Sequence, residues 1–325
     1  MSVVFGLILA SVSLFVGGEL AWAVPPASNS WYINTTDTAV AYDKGCSLGQ
    51  LVYNTPGTQS PVVFLHFGSP RLLAGNVYGT SFYQPPGQGY NTLVTASMAL
   101  EFAHGYWQCA YTDTSSYLKL SIGTSNDGNP AIYPTHGQTW ASTVISTQQA
   151  LNNQGATHWQ TFAYGGTDLE PPSGGSFNTF ATTKPWLDAY NAVSGRPSLY
   201  ANAACFGVTS GPYTAGTSCG TGWTADNMWY GTWGLSAARP LPQIYATNAA
   251  NAAQWQLLSK YAKTAHGSKM SFVGAMSQSL ACSQVACPPG TNNTPTAAWN
   301  QLQFAVNTDA ATAMTIPAVT DIGKT

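Results

Sequence analysis

Short apolar runs alternate with amphipathic runs along the chain. Apolar runs bounded by glycine and proline predict buried strands near residues 62, 118, 159, 198, 229, 242 and 270. Apolar residues at helical spacing predict helices over 91–104, 140–153, 177–193, 249–265 and 295–313. Strands that alternate with helices indicate a parallel sheet. Seven to eight such units over about 260 residues favour a (β/α)-barrel of the TIM type over an open doubly wound sheet.

Two segments fall outside this alternation. Residues 24–60 predict an irregular N-terminal segment, in which Trp31-Tyr32-Ile33 is at most a short strand. Residues 69–90 are rich in glycine, proline and tyrosine and predict a long loop, a feature that is often functional in compact domains. We therefore expect one barrel domain over 61–325, without an internal repeat or an interdomain linker.

The first 23 residues have the pattern of an export signal. Residues 3–16 are mostly apolar, and Ala21-Trp22-Ala23 has the small-x-small form of a cleavage site, although no Lys or Arg precedes the apolar run. About 14 apolar residues are short for a membrane span. We expect a signal peptide over 1–23, a secreted protein and no stable membrane span. An N-terminal membrane anchor is the alternative.

Six cysteines follow this leader, and an even number in an exported chain indicates disulfides. Six cysteines allow 15 pairings. Local spacing favours two pairs and leaves a third: Cys205–Cys219, Cys282–Cys287 and Cys46–Cys109. Zinc is disfavoured because the last histidine, His266, precedes the final cysteine pair. No metal and no cofactor is expected.

Charge is scarce in this chain. Charged residues make up 7% of the sequence, and the formal net charge is −2. The 10 Lys and Arg residues form no basic run, so nucleic acid is not an expected partner. The sequence contains no Gly-x-Gly-x-x-Gly and no Walker loop, which excludes the usual nucleotide-binding classes.

Two of the few acids stand together at the end of a predicted buried strand. This strand starts at Trp159 and passes through Gly165-Gly166, and Asp168 and Glu170 then follow two residues apart. Because side chains alternate along a strand, both carboxylates are expected on one face. Sites in α/β proteins are usually built at the carboxyl ends of the strands. In the alternative, structural interpretation, Asp168 caps the next helix or orders a turn, and Glu170 is solvated.

The pair has the residue types that glycoside hydrolysis uses, which are one protonated and one ionised carboxyl group. Burial beside Asp168 is expected to raise the pKa of Glu170, so Glu170 is the candidate general acid. Asp168 is then the ionised partner, which either stabilises developing positive charge or orients an N-acetyl group that itself attacks. Residues i and i+2 of a strand can approach the ~5–7 Å separation that sugar chemistry uses.

Further side chains lie at or near predicted strand ends and are candidates for substrate binding. They are His66, Tyr200, Trp233, Gln243, Tyr245 and Gln278. Aromatic rings stack on sugars, although core packing is the alternative for each ring. The barrel is expected to place Ser69, Asn126, Tyr200, Trp233, Tyr245 and Gln278 on the same rim as the carboxylate pair.

The stretch Tyr164–Pro171 resembles the Asp-x-Glu strand end of the family 25 glycoside hydrolases, the barrel lysozymes. It is also similar to glycoside hydrolase-like barrel domains of secreted bacterial proteins. Further matching features are Tyr200, Trp233-Gly234 and Pro242–Tyr245, so the resemblance covers residues 60–315. It implies an O-glycosyl hydrolase that acts on peptidoglycan or another extracellular polysaccharide, with Glu170 as acid and Asp168 as partner.

One feature departs from this family, which carries an additional acid at the end of its first strand. Here the strand near residue 62 ends in His66-Phe67-Gly68-Ser69-Pro70. A non-catalytic carbohydrate-binding or surface-interaction protein on the same barrel is therefore the rival function. A second acid near Glu170, either Asp127 or Asp226, favours catalysis. An esterase with a Ser-His-Asp triad is a remote alternative, because no Gly-x-Ser-x-Gly elbow is present.

Overall fold

The structure is a computed structural model of the 325-residue chain, and it describes residues 22–82, 88–154, 160–172 and 177–325. The strands within these ranges are β1 (Ala27–Tyr32), β2 (Val62–His66), β3 (Ser69–Leu73), β4 (Val77–Ser81), β5 (Gly89–Asn91), β6 (Leu118–Ser125), β7 (Thr161–Leu169), β8 (Leu199–Ala203), β9 (Ser218–Gly220), β10 (Trp223–Thr224), β11 (Ala238–Pro242), β12 (Ala275–Ser277) and β13 (Val319–Lys324). The α-helices are α1 (Thr38–Tyr53), α2 (Thr92–Cys109), α3 (Tyr133–Asn153), α4 (Phe180–Ala192), α5 (Ala225–Trp229), α6 (Ala250–His266), α7 (Ser279–Gln284) and α8 (Pro295–Asn307).

Eight strands form one parallel sheet whose order follows the chain. Starting from β1, the neighbours are β2, β6, β7, β8 and β11 on one side, and β13 and then β12 on the other. A parallel bridge between Gln243 and Met276 links the ends of β11 and β12, so the sheet is nearly closed. The predicted (β/α)-barrel is therefore confirmed, with eight strands.

The barrel begins earlier in the chain than the sequence indicates. Residues 24–60 are not irregular, because they contain β1 and α1. The strand β1 is hard to recognise because its lumen-facing positions are serines. Ser28 donates to the Val62 carbonyl at 2.6 Å, and the hydroxyls of Ser30 and Thr320 are 2.7 Å apart. These bonds satisfy the hydroxyls inside the barrel, so a polar strand is buried at little cost.

A small apolar cluster fills the middle of the barrel lumen. Phe64, Leu241, Met276 and Ile322 are buried together there, separately from the larger core between the sheet and the helices. Gly166 faces this cluster, and a Cβ on it would lie 2.8 Å from the Phe64 ring. Gly166 therefore leaves space for an aromatic side chain in the lumen, whereas Gly165 leaves space for the Tyr190 side chain of α4.

The outer helices are held to one another by close backbone contact and by a disulfide. A Cβ on Gly45 of α1 would collide with the Phe102 carbonyl of α2, so this helix pair approaches closely only with glycine there. Cys46–Cys109 joins the same two helices. Cys205–Cys219 and Cys282–Cys287 staple the segments after β8 and α7. The three expected disulfides are therefore confirmed.

Several local expectations differ from the structure. The aromatic segment near residue 229 is not a strand but α5 followed by a π-helix over 230–234, and β13 is a strand that the sequence pattern does not reveal. The expected loop over 69–90 contains the antiparallel strands β3, β4 and β5, and its residues 83–87 lie outside the described residues. The expected signal peptide also lies outside them, except for its last two residues. No helix in the described residues is long and apolar enough to cross a membrane.

Candidate active site

Four polar side chains meet at the carboxyl end of the barrel. They are His66 of β2, Asp168 of β7, Asn202 of β8 and Gln243, which directly follows β11. Asp168 is buried, with 3% of its surface exposed. Its Oδ1 accepts from the amides of Gln243 at 2.8 Å and Asn202 at 3.3 Å, and its Oδ2 lies 3.3 Å from His66 Nε2. Both oxygens of Asp168 thus serve as acceptors, which is the role of an ionised carboxylate.

The turn after β2 determines which nitrogen of His66 carries a proton. The backbone N–H of Gly68 donates to His66 Nδ1 at 3.0 Å, so Nδ1 holds a lone pair and Nε2 holds the proton. Gly68 has a φ of 80°, and a Cβ on it would collide with the Ser81 carbonyl. Glycine therefore permits the turn that directs the Nε2 proton of His66 at Asp168.

Glu170 lies two residues after Asp168, and the side chain of Asn126 fixes its backbone. Its N–H donates to Asn126 Oδ1 at 3.1 Å, and Asn126 Nδ2 donates to its carbonyl at 2.9 Å. Burial, followed by the negative charge of Asp168, raises the pKa of Glu170 to about 8, while a hydrogen bond with Gln243 opposes this shift. The Glu170 carboxyl group is therefore mostly protonated at neutral pH, beside an ionised Asp168.

Two tyrosines lie close to the carboxylate pair. Burial, followed by the charges of Asp168 and Glu170, raises the pKa of Tyr32, and a hydrogen bond with Tyr245 opposes the shift. Burial also raises the pKa of Tyr245, with further contributions from Tyr32 and both carboxylates. The Tyr32 ring is tilted against His66, with ring centres 5.2 Å apart. Both phenols keep their protons at neutral pH and can donate hydrogen bonds in this mouth.

The structure places only some of the predicted binding residues with the pair. His66, Gln243 and Tyr245 lie there. Gln278 follows β12 on the same rim, but its side-chain amide donates to the Thr291 carbonyl at 2.8 Å and so fixes a loop. The prediction for Tyr200 and Trp233 is wrong, because neither side chain lies at the carboxyl end of the barrel.

Tyr200 and Trp233 face the opposite end of the barrel. Tyr200 lies two residues before Asn202 on β8, is 3% exposed and stacks on Tyr164 with ring centres 4.5 Å apart. Trp233 belongs to the π-helix that precedes β11, and the start of a barrel strand is at the amino-terminal rim. The expected rim position of Trp233 is wrong because the segment near residue 229 is helical.

The two acids that were candidates to assist the pair have other partners. Asp127 follows β6 on the same rim, where it accepts from the Ser69 hydroxyl at 3.0 Å and from the Gly128 N–H at 2.6 Å. Asp226 of α5 is bound by Tyr261 at 2.8 Å and His266 at 3.0 Å, near the end of α6. Among the residues that the structure describes, no three His, Cys, Asp or Glu side chains are grouped so that they could hold a metal ion.

Two residues at the carboxylate pair, Asn202 and Tyr32, were not predicted from the sequence. The strand Leu199–Ala203 contains both Tyr200 and Asn202 on its lumen face, and alternation alone would have placed Asn202 nearer the carboxyl end. Tyr32 ends β1, which the sequence analysis placed outside the barrel. A search for polar residues at the last inward position of every strand would have found Asn202.

Comparison of the chain with protein-family models, with curated proteins and with solved structures finds no match. The chemistry of this site must therefore be inferred from its own residues. Its essential features are a protonated carboxyl group and an ionised carboxylate, side by side at the carboxyl end of a (β/α)-barrel.

Proposed function

We propose that this protein is a secreted glycoside hydrolase that cleaves glycosidic bonds in cell-wall or other extracellular polysaccharide. The observation that carries the proposal is the pKa of Glu170, which is raised to about 8 beside the carboxylate of Asp168. One carboxyl group can then deliver a proton while its neighbour stays charged. This division of roles is what glycosidases require of a pair of acids.

Glu170 is the proton donor in the proposed reaction. Its carboxyl group gives a proton to the glycosidic oxygen as the bond to the anomeric carbon breaks, and positive charge then develops on the sugar ring. Asp168 is fixed by three donors, His66 of β2, Asn202 of β8 and Gln243 just after β11. Because these donors hold both oxygens, Asp168 suits electrostatic stabilisation, or orientation of an N-acetyl group, better than direct attack on the sugar.

A second function, carbohydrate binding without hydrolysis, is favoured by a different observation. The first barrel strand is β1 rather than β2, and it is followed by Ile33 and Asn34, so no acid stands at its end either. The next acid, Asp37, caps α1 by accepting from the Ala39 N–H at 3.0 Å. The additional acid of the barrel lysozymes thus has no counterpart at this position.

Reducing-sugar release separates the two functions. Wild type is incubated with peptidoglycan and a panel of neutral and acidic polysaccharides, alongside Glu170→Gln and Asp168→Asn. Loss of general acid catalysis lowers the rate by about 10²–10⁴-fold in Glu170→Gln. Glu101→Gln, an exposed change of the same type on α2, is the matched control and should keep full activity.

The possible results of this assay have different meanings. Binding of a glycan by wild type without release of reducing ends identifies the second function. Absence of both binding and hydrolysis on every substrate would contradict both proposals.

Secretion is part of the proposal and is supported by the three disulfides, which form and persist in oxidising compartments. Intact-mass spectrometry of protein from the culture medium tests it. The expected mass corresponds to a chain that starts near Val24 and lacks six hydrogen atoms, one pair for each disulfide. A full-length mass, or free thiols at all six positions, would contradict it.

A further inference from the structure

The amino-terminal end of the barrel contains a second cavity, on the other side of the apolar cluster around Phe64. Its volume is about 670 Å³. The walls include Tyr164, Tyr200, Trp233 and Arg239, with Ser236 and Ser271 at exposed positions. In (β/α)-barrels this end usually serves stability rather than function. An open cavity with rings and a cation is therefore not explained by the fold alone.

Arg239 has unused binding capacity in this cavity. It is the lumen-facing residue at the start of β11, and its Nη1 donates to the carbonyls of Ser236 at 3.2 Å and Ala238 at 2.6 Å. No described carboxylate lies within ion-pair distance of it, and its Nε and Nη2 have no described hydrogen-bond partner. A guanidinium group is always charged and binds carboxylate or sulfate through two parallel donors.

Trp233 and Tyr164 are the partly exposed rings beside Arg239, and the buried Tyr200 supports Tyr164 from behind. The Arg239 guanidinium lies 5.6 Å from the centre of the Trp233 ring, which orients it. Tyr164 and Tyr200 stack with an interplanar angle of 16°. Burial raises the pKa of both tyrosines, so their hydroxyls stay protonated. Flat rings bordered by hydroxyl groups suit a sugar, which presents apolar C–H faces and polar edges.

A second cation adds to the positive potential at this end. Lys119 lies at the amino-terminal end of β6, 5.5 Å from the centre of the Tyr117 ring. Within the described residues, it forms no ion pair. In a chain with 10 Lys and Arg residues, two cations without acid partners near one opening favour an anionic ligand.

We propose that the amino-terminal cavity binds an acidic saccharide. A sugar ring stacks on the Trp233 and Tyr164 side, and its carboxylate or sulfate pairs with the free edge of Arg239. This site is separate from the Glu170 site, and the proposal does not depend on hydrolysis there.

Isothermal titration calorimetry tests the proposal with three probes of equal length: a uronate oligosaccharide, a sulfated oligosaccharide and a neutral glucose oligosaccharide. Wild type should bind at least one acidic probe more tightly than the neutral one, and the two acidic arms identify the anion. Arg239→Met keeps a long unbranched side chain and removes the charge. It should weaken acidic binding by roughly 10- to 100-fold. Arg71→Met, at an exposed position of β3, is the matched control and should change nothing.

Two further variants locate the ligand and keep the test valid if Arg239→Met does not fold. Ser271→Trp places a large ring at the exposed edge of the cavity and should block binding even if Arg239→Met does not fold. Glu170→Gln should leave the affinity for the acidic probe unchanged, which separates this proposal from the hydrolase proposal. Equal affinity for neutral and acidic probes, unchanged affinity in Arg239→Met, or loss of affinity in Glu170→Gln would each overturn it.

Discussion

His66 donates its Nε2 proton to Asp168 across the carboxyl mouth of the barrel, with Nε2 and Oδ2 3.3 Å apart. The direction of this bond follows from the Gly68 N–H, which occupies Nδ1 of the same ring. His66, at the end of the second barrel strand, is therefore a donor to the buried carboxylate of the pair. His66 therefore stabilises the negative charge of Asp168, and it is not a further acid.

Removal of this donor should destabilise the protein. In His66→Ala, a buried oxygen of Asp168 loses a partner, and the free energy of unfolding should fall by about 1–3 kcal/mol. Urea denaturation measures the change. His66→Gln can donate from its amide and should recover part of the loss. His104→Ala alters a histidine whose side chain is 41% exposed, so its effect should stay within about 0.5 kcal/mol. An equal effect of the two alanine changes would contradict the assigned role of His66.

An added methyl group at Gly166, two residues before Asp168, should lower the stability of the protein. In Gly166→Ala the Cβ meets Ser121 Oγ at 2.5 Å and both Gly123 Cα and the Phe64 ring at 2.8 Å, and overpacking of this kind costs about 1–3 kcal/mol. Phe64→Leu relieves one of these three contacts, so the double variant should lose less stability than the two single changes added together. Thermal melts of the four proteins measure the coupling. Gly216→Ala, where a Cβ meets nothing within 4 Å, is the control. Strict additivity would show that Gly166 and Phe64 do not interact.

The sequence predicts most of the barrel because its central strands carry clear patterns. Strand β2 is a continuous apolar run, and in β6 the apolar residues Leu118, Leu120 and Ile122 alternate with other residues. Strand β1 escapes prediction because Ser28 and Ser30 face the lumen, where neighbouring strands satisfy their hydroxyls. Such a strand looks like a polar loop when its neighbours are unknown.

The carboxylate pair is also predictable, since strand alternation is a local property. The residues that contact the pair are harder to predict, because their identity depends on where each neighbouring strand ends. Trp233 lies at the wrong rim because a π-helix replaces the strand expected near it. Asn202 and Asn126 contact Asp168 and Glu170 from neighbouring strands, across 34 and 44 residues of sequence. Spacing along the chain contains no information about such contacts.

The three disulfides should differ in their contributions to stability. Cys46–Cys109 spans 63 residues, whereas Cys282–Cys287 spans 5. If disulfides act through the entropy of the unfolded chain, replacing the first pair by serine costs about 4 kcal/mol and the second about 2 kcal/mol. Guanidinium denaturation of the two double-serine variants gives both values. A larger loss for the short loop would show that native contacts, rather than chain entropy, dominate.

Acid should destabilise the protein through His136. Burial lowers the pKa of this histidine to about 4, and its ring accepts from Trp186 Nε1 and bonds to the Gly79 carbonyl. Below pH 6.5 the unfolded chain binds a proton that the folded protein binds only near pH 4. The contribution of His136 to the free energy of unfolding therefore falls as the pH drops from 6.5 to 4, by up to about 1.4 kcal/mol per pH unit. His136→Gln can keep both hydrogen bonds and should remove this dependence in urea titrations, whereas the exposed change His104→Gln should not.

Glu170 should produce the opposite dependence at higher pH. Its pKa is 4.5 in the unfolded chain and about 8 in the folded protein, where burial and Asp168 disfavour the charge. Between these values Glu170 makes the folded state hold one more proton than the unfolded state, so its contribution to stability falls as the pH rises from 4.5 to 8. Below pH 6.5 the opposite contribution of His136 offsets it, and the stability of wild type should therefore fall between pH 6.5 and 8. Glu170→Gln should remove this slope and be more stable than wild type at pH 8.

The protonation of Glu170 also sets the activity, because the general acid is lost above pH 8, and kcat/KM of a hydrolysed glycan should decline there. Parallel urea titrations and rate profiles over pH 5–9 measure both effects, with Glu101→Gln as the control. A wild type whose stability does not fall between pH 6.5 and 8 would contradict the raised pKa and, with it, the proposed role of Glu170.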